Sequence, residues 1–209
     1  MIKAVIFDLD GVIVSTDECH YNAWKRIADE NCIYFDREIN NRLRGVSRME
    51  SLDIVLERAE REYTDAEKAE MAEKKNGYYR EYIDRLTPDA VLPGVADNLN
   101  ELKDNGIKIA IGSSSKNTPL ILKRIGYEDY FDAVSDGNNI TKSKPDPEVF
   151  LKAAEMLGIH PEDCMIVEDA DSGIAAGKAA GMRTLGVNGA KDADISFENL
   201  NGNSIFSIL

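Results

Sequence analysis

The sequence has few of the residues that build metal-binding or disulfide frameworks. Its 209 residues include two histidines and three cysteines. No pair of cysteines has the spacing of a zinc ligand pair, which argues against a structural zinc site. An odd number of scattered cysteines is typical of reduced thiols, so we expect a cytoplasmic protein.

Long apolar runs and excess positive charge are also missing. No apolar run approaches the roughly 20 residues of a transmembrane helix, and Asp8 and Asp10 interrupt the apolar start, which therefore does not resemble a signal peptide. The net charge of −13 argues against binding to nucleic acid or to an anionic membrane surface. With 43% hydrophobic residues the chain can bury a sizeable core. We expect a monomer that binds a small molecule.

Short apolar runs alternate with helical patterns over most of the chain. The run 4–7 is continuously apolar and ends in Asp-Leu-Asp-Gly, which is typical of a buried strand that leads into a loop. Similar runs lie at 107–111, 165–167 and 184–187, with a weaker one at 133–134, and helical patterns lie at about 95–104, 116–125, 147–157 and 171–180. This alternation predicts an α/β fold with a doubly wound, parallel, Rossmann-like sheet. The small residues Gly173 and Gly177 predict close packing of the last helix on the sheet.

Residues 15–85 differ from the rest because they contain no convincing strand. The helical signals are, in order, a Thr16 cap, an apolar face that includes His20 and Trp24, a terminal Gly45 and a Ser47-x-x-Glu50 capping box. We therefore predict an α/β core of residues 1–14 and 86–209 with an inserted helical domain of residues 15–85.

Polar side chains follow four of the predicted strands, where ligands bind in open α/β sheets. They are Asp8 and Asp10, then Ser113, then Lys144, then Glu168 and Asp169. Carboxylate oxygens suit Mg²⁺, whereas hydroxyl and ammonium groups suit phosphate oxygens. The pattern predicts phosphoryl transfer, with Asp8 attacking phosphorus to form an aspartyl phosphate and Asp10 exchanging a proton with the entering or leaving oxygen.

Each of these residues also has a purely structural interpretation. Asp8 and Asp10 could form only a turn, Ser113 could be a plain loop residue, and Lys144 could be solvated. The pair Glu168-Asp169 could cap the following helix. The occurrence of all four groups at strand ends favours the functional interpretation.

These motifs resemble those of the haloacid dehalogenase superfamily over the whole chain. Phe7-Asp-Leu-Asp-Gly11, Ser113, Lys144-Pro145 and Glu168-Asp169 match its four motifs in order. The resemblance implies that the helical insertion is a C1-type cap domain. Further similarity to the sugar phosphomutases of the superfamily is carried by His20 with Trp24, Gly45-Val46-Ser47-Arg48, Lys75-Asn76 and Ser113-x-Ser115-Lys-Asn117.

The resemblance implies a reaction and a role for each residue. The reaction is the Mg²⁺-dependent interconversion of β-glucose 1-phosphate and glucose 6-phosphate through β-glucose 1,6-bisphosphate. Asp8 is implied as the nucleophile and Asp10 as the general acid/base. The metal is implied to be bound by Asp8, the Asp10 carbonyl and Asp169, with support from Glu168. Ser113 and Lys144 are implied to bind the transferring phosphoryl group, and Arg48, Ser115 and Asn117 the second phosphate. His20 and Lys75 are implied to contact the sugar and to couple cap closure to Asp10.

Two departures and several alternatives remain. Ala170 stands where the family has a small hydroxyl residue, and the last dozen residues do not resemble its C-terminal helix. Arg48 could be a surface arginine, His20 an interface histidine and Lys75 a solvated lysine, while Ser115 and Asn117 could only cap a helix. In that case the chain would be a phosphatase without a second phosphate site. An acidic, non-enzymatic interaction module is the third possibility.

Overall fold

A computed structural model describes residues 1–43 and 46–209 of the chain. The chain forms two compact units. The core unit comprises Met1–Ser15 and Thr87–Leu209, and the helical unit comprises Thr16–Leu86. Within the described residues, none of the helices combines the length and the apolar character needed to cross a membrane.

The core unit contains a parallel sheet, for which the described residues supply six strands. They are β1 (Ala4–Phe7), β2 (Lys108–Gly112), β3 (Ala133–Ser135), β4 (Cys164–Glu168), β5 (Arg183–Gly186) and β6 (Ile195–Ser196). Their order is β3-β2-β1-β4-β5-β6, and every neighbouring pair is parallel. The chain reverses its winding direction between β1 and β4, which is where such sheets bind ligands. The predicted doubly wound α/β fold is therefore confirmed.

Helices cover the sheet of the core unit. They are α5 (Val95–Asp104), α6 (Thr118–Arg124), α7 (Glu148–Leu157) and α8 (Asp171–Ala179). Successive strand residues point to opposite faces, and Val5, Ile6, Phe7 and Ile111 are all fully buried. Both faces of the central strands are thus covered, which explains why these strands are continuously apolar in sequence. An added Cβ at Gly177 would lie 2.6 Å from Cγ1 of Ile166, so the predicted close packing of α8 is confirmed.

The helical unit contains α1 (Asp17–Glu30), α2 (Arg37–Asn41), α3 (Arg48–Leu56) and α4 (Asp65–Ile83). Its described residues form no strand, as predicted. The capping box of Ser47 and Glu50 is present at the start of α3. Trp24 and Ile27 are buried on α1, as the apolar pattern indicated. The predicted role of Gly45 in ending a helix falls outside the described residues.

One local prediction was wrong, and one short strand was missed. Thr16 is the residue before α1, but its side chain does not cap that helix. Its hydroxyl instead forms a hydrogen bond with the Tyr79 hydroxyl at 2.9 Å, because Thr16 is buried beside α4. The strand β6 was not predicted, since a segment of two residues is too short to show a period.

Candidate active site

The register of the sheet aligns the carboxyl ends of β1, β2 and β4. Phe7 is aligned with Ile111 of β2 and with Val167 of β4. The next residues in each strand, Asp8 and Glu168 among them, therefore lie side by side at the carboxyl edge of the sheet. The backbone N–H of Asp8 also donates to the Val167 carbonyl at 2.9 Å, which continues the pairing past β1.

Lys144 connects the two carboxylates at this edge. Its Nζ lies 2.5 Å from Oδ1 of Asp8 and 2.6 Å from Oε1 of Glu168, and all three side chains are almost completely buried. The Lys144 ammonium also lies 4.7 Å from the centroid of the Phe150 ring, which is within the range of a cation–π contact. The solvated alternative for Lys144 is therefore wrong.

The charges of this cluster perturb one another. Burial has the largest effect on Asp8 and, despite the opposing charge of Lys144, raises the pKa of its carboxyl to about 7. Burial would lower the pKa of Lys144, but Asp8 and Glu168 outweigh that effect and raise it. Lys144 is consequently a fixed positive charge at neutral pH, whereas the state of Asp8 depends on what else occupies the site.

Glu168 forms hydrogen bonds with the backbone as well as with Lys144. Its Oε2 accepts hydrogen bonds from the backbone N–H groups of Asp169 and Ala170, at 2.8 and 2.9 Å, while its Oε1 faces Lys144. Both N–H groups precede α8, which begins at Asp171 and has no side-chain cap hydrogen bond, so Glu168 orders the loop before the helix and the helix-capping interpretation is wrong for it. Ala170 contributes its backbone rather than a hydroxyl. Gly173 leaves the space for this carboxylate, because a Cβ there would lie 1.8 Å from Oε1.

Asp8, Glu168 and Asp169 form an arrangement suited to a metal ion. Each offers one carboxylate oxygen, and these oxygens lie within 4.8 Å of one another. Gly11 has φ +85°, and a Cβ at this position would lie only 2.1 Å from Oδ2 of Asp169. Asp10 lies two residues after Asp8 and forms a β-bridge with Val14. The donor set is made of hard oxygens, as Mg²⁺ prefers.

The loop after β2 carries the predicted phosphate ligands. Ser113 is buried, and its Oγ accepts from the backbone N–H of Ser115 at 3.2 Å. The Oγ of Ser115 in turn accepts from the N–H of Asn117 at 3.2 Å. Asn117 is the N-cap residue of α6, yet its side chain makes no cap hydrogen bond. The helix-capping alternative therefore fails for the Asn117 side chain.

The helical unit brings together a second set of predicted residues. The Lys75 Nζ lies 2.9 Å from Nδ1 of His20, and 4.9 and 4.6 Å from the ring centroids of Trp24 and Tyr79. Lys75 is only 3% exposed, so the solvated alternative is wrong. Burial, together with the charges of Lys75 and Arg48, holds the pKa of His20 well below its usual value.

Arg48 is half-buried at the start of α3. Its guanidinium donates to Oδ1 of Asn76 at 2.9 Å and lies 3.6 Å from the Glu73 carboxylate. Ser47 caps the same helix, and Val46 before it is exposed. Gly45, predicted as part of this segment, lies outside the described residues.

A family model described as haloacid dehalogenase-like hydrolase matches residues 2–181. The chain belongs to the haloacid dehalogenase-like hydrolase family. Among the members of this family that it resembles, a beta-phosphoglucomutase of Bacillus subtilis is 50% identical over 188 residues, which cover 89% of this chain and 83% of that protein. A phosphorylated carbohydrates phosphatase of Thermotoga maritima is 31% identical, covering 88% and 84%.

Solved structures show the same likeness. The crystal structure of a beta-phosphoglucomutase from Clostridium difficile matches with a TM-score of 0.92 and 40% identity, covering all of this chain and 96% of that one. The chain thus has the fold of the haloacid dehalogenase-like hydrolase family.

Two contributors to the site were missed in the sequence. The Phe150 ring lies against Lys144, and the amide of Asn188 donates to the Gly11 carbonyl at 2.7 Å. Gly11 was recognised as part of the first motif, but not the room that it leaves for Asp169. Phe150 and Asn188 belong to ordinary helix and loop patterns, so nothing local marks them.

Proposed function

We propose that the protein is a Mg²⁺-dependent phosphomutase that interconverts β-glucose 1-phosphate and glucose 6-phosphate through β-glucose 1,6-bisphosphate. The observation that carries the proposal is the buried cluster in which Lys144 contacts both Asp8 and Glu168, with Asp169 beside them. The choice of a mutase is supported by two beta-phosphoglucomutase relatives, at 50% and 40% identity.

The residues present fit a magnesium ion. Asp8, Asp169 and the Asp10 carbonyl would hold it, and Glu168 would support it. The space at Gly11, which a Cβ would fill, keeps the Asp169 carboxylate close to the loop after β1. Mg²⁺, when bound, would withdraw charge from the phosphoryl oxygens and so reduce their repulsion of a carboxylate nucleophile.

In the proposed reaction Asp8 attacks the phosphorus of a sugar bisphosphate. A bond forms between a carboxylate oxygen of Asp8 and phosphorus, and the ester bond between phosphorus and the sugar oxygen breaks. Asp10 gives a proton to the leaving sugar oxygen and takes one from the other hydroxyl in the return step. Lys144 and Ser113 hold the transferring phosphoryl oxygens, since both groups are buried and can donate hydrogen bonds.

The helical unit supplies the discrimination between a sugar phosphate and water. Arg48, with Ser115 and Asn117 of the core unit, would bind the phosphate that is not reacting. His20, Trp24 and Lys75 would contact the sugar, with the segment Gly45, Val46 and Ser47 next to Arg48. Binding energy from the second phosphate would then favour closure of the cap and exclusion of water during phosphoryl transfer.

A phosphatase is the second candidate. The phosphorylated carbohydrates phosphatase of Thermotoga maritima, at 31% identity, favours it. Such an enzyme would use the same core residues and transfer the phosphoryl group from Asp8 to water. It would have no use for Arg48 as a ligand of a second phosphate.

We also infer a monomeric, cytoplasmic enzyme that binds neither nucleic acid nor membranes. The cysteines Cys19, Cys32 and Cys164 form no disulfide, which fits a reducing compartment. The net charge of −13 opposes binding to polyanions.

The deciding experiment follows both products from one substrate. The protein is incubated with Mg²⁺, β-glucose 1-phosphate and a trace of β-glucose 1,6-bisphosphate, and glucose 6-phosphate and free phosphate are measured. We expect glucose 6-phosphate to accumulate. We expect Arg48→Ala to reduce this turnover far more than hydrolysis of a small phosphomonoester, because only the mutase needs the second phosphate site.

Controls make the result specific. Arg42→Ala in the same unit removes an exposed arginine paired with Glu57 and should leave both rates unchanged. Asp8→Asn should abolish both. Free phosphate as the sole product would establish the phosphatase instead. Equal losses of the two rates in Arg48→Ala would contradict the role of Arg48 as a ligand of the second phosphate.

A further inference from the structure

The helical unit holds a lysine in a buried aromatic pocket that the proposed mechanism uses but does not explain. Lys75 is 3% exposed, and its ammonium lies near the rings of Trp24 and Tyr79. A lysine has four rotatable side-chain bonds and a strongly hydrated head. Something must therefore fix where this ammonium lies, because cation–aromatic contacts alone tolerate a range of positions.

Tyr79 lies beside both His20 and Lys75 in this pocket. Its ring centroid lies 4.1 Å from that of His20 and 4.6 Å from the Lys75 ammonium. Its hydroxyl forms a hydrogen bond with the Thr16 hydroxyl at 2.9 Å. Thr16 and Tyr79 are 0% and 3% exposed, so this hydrogen bond is shielded from water.

Thr16, the partner of Tyr79 in this hydrogen bond, lies at the start of the helical unit. Thr16 is the first residue of the helical unit, directly after the last residue of the first core segment. The hydrogen bond therefore anchors the ring of α4 to the point where the chain enters the unit. A ring held at its hydroxyl cannot swing away from Thr16 without breaking that bond, and the ring lies beside both His20 and Lys75.

The pair that Tyr79 adjoins has one defined hydrogen-bonding arrangement. Because an ammonium group can only donate, Lys75 must donate to Nδ1 of His20, and the imidazole then carries its proton on Nε2. The low pKa of His20 is consistent with this neutral form. If the Lys75 ammonium shifted, Nδ1 of His20 would lose this hydrogen bond, and the ring proton would no longer be confined to Nε2.

We propose that Tyr79 is a positioning residue, which through its ring and its hydrogen bond to Thr16 sets the location of the Lys75 ammonium and the tautomer of His20. The catalytic part of this inference rests on the proposed mutase function, whereas the positioning itself is a property of the helical unit. Tyr79 acts on the reaction only through Lys75 and His20.

The test compares Tyr79→Phe with Tyr78→Phe. Tyr78 is the neighbouring residue of α4, and its hydroxyl also reaches α1, where it donates to Glu30 at 2.7 Å. Both variants thus lose one hydroxyl that links α4 to the start or the end of α1, and both keep the aromatic ring. We expect Tyr79→Phe to lower kcat of the mutase about two- to tenfold, as for loss of one hydrogen bond, with hydrolysis of a small phosphomonoester unchanged. Tyr78→Phe should alter neither rate.

Two spectroscopic signals report the positioning without any substrate. Trp24 is the only tryptophan and His20 is one of two histidines, so each gives an assignable resonance. We expect Tyr79→Phe to shift the Trp24 indole signal and the ¹⁵N signals of the His20 ring, while those of His160 and the Tyr78→Phe spectrum remain as in the wild type. Thr16→Val should reproduce the shifts, because it lacks the hydroxyl. Thr16→Ser keeps the hydroxyl and should give the wild-type signals.

The outcomes are separable. Unchanged Trp24 and His20 signals in folded Tyr79→Phe and Thr16→Val would overturn the inference. So would equal effects of Tyr79→Phe and Tyr78→Phe on these signals, because a general loosening of α4 would then account for both. If the wild type shows no mutase turnover, the proposed function fails, but the two resonances still decide the role of Tyr79.

Discussion

At the scale of single residues, the candidate active site holds more negative than positive charge in a small buried volume. Three carboxylates, those of Asp8, Glu168 and Asp169, lie around one ammonium group. Buried like charges are costly unless a further positive charge compensates them. Burial has the largest part in raising the pKa of Asp8, the charge of Glu168 adds to it, and a divalent cation beside Asp8 would oppose both.

Gly11 gives a direct test of how closely this site is built. We expect Gly11→Ala to weaken Mg²⁺ binding about 10- to 100-fold, since the new Cβ would displace the Asp169 carboxylate. The positive φ of Gly11 adds a backbone cost of about 1–2 kcal/mol. Titration calorimetry with Mg²⁺ measures the affinity, and urea unfolding measures the stability.

Gly106→Ala is the matched control for this change. Gly106 also has a positive φ, of +73°, but a Cβ there would meet nothing within 4 Å. It should cost similar stability and leave Mg²⁺ affinity intact. Retained affinity in Gly11→Ala would mean that Asp169 is not held at the position that metal binding requires.

At the scale of elements, the helical unit depends on well-capped helices. Both α3 and α4 begin with a capping box, formed by Ser47 with Glu50 and by Thr64 with Glu67. Arg61 and Thr64 lower the pKa of Glu67 to about 2. The lower folded-state value means that Glu67 contributes stability above its ordinary pKa of about 4.3, and that this contribution is lost as the pH falls towards about 2.

We expect Thr64→Ala to destabilise α4 by about 1 kcal/mol, because the N–H of Glu67 loses its side-chain acceptor. Hydrogen exchange of the α4 amides should then accelerate about fivefold. Thr87→Ala is the control, since Thr87 precedes a 3₁₀-helix without a side-chain cap bond. Equal acceleration in both variants would show that the capping box is not what stabilises α4.

Patterns spanning several residues were predictable from sequence, and partnerships between distant residues were not. The apolar runs led to β1, β2, β4 and β5 because buried parallel strands leave a continuous signal. The strand-end groups were predictable because the topology determines where they meet. The burial of Lys75 was not, since its neighbours in sequence are charged and its partners lie on α1. The same holds for the contact of Thr16 with Tyr79.

At the scale of the whole molecule, the charge of −13 affects any study of metal binding. A strongly anionic protein is stabilised by any salt that screens its self-repulsion. A magnesium effect therefore has two components, one that NaCl reproduces and one that only a specific site provides.

We expect Mg²⁺ to raise the Tm of the core unit by about 5–10 °C relative to NaCl of equal ionic strength. A free Mg²⁺ concentration of a hundred times Kd stabilises the folded state by about 2.7 kcal/mol. For a chain of this size, that free energy corresponds to the stated change in Tm. Differential scanning calorimetry measures it. Asp169→Asn should remove the difference and keep the NaCl response. Equal shifts in both salts would mean that Mg²⁺ acts only by screening.

The division of the chain into units also sets an order of events during synthesis. The helical unit is one continuous segment and is complete once Leu86 has been made. The strand β1 is made first, but its partners are Lys108–Ile111 and Cys164–Val167. On the ribosome Asp8 therefore emerges among the first residues, and the sheet that buries it cannot close until β4 has followed.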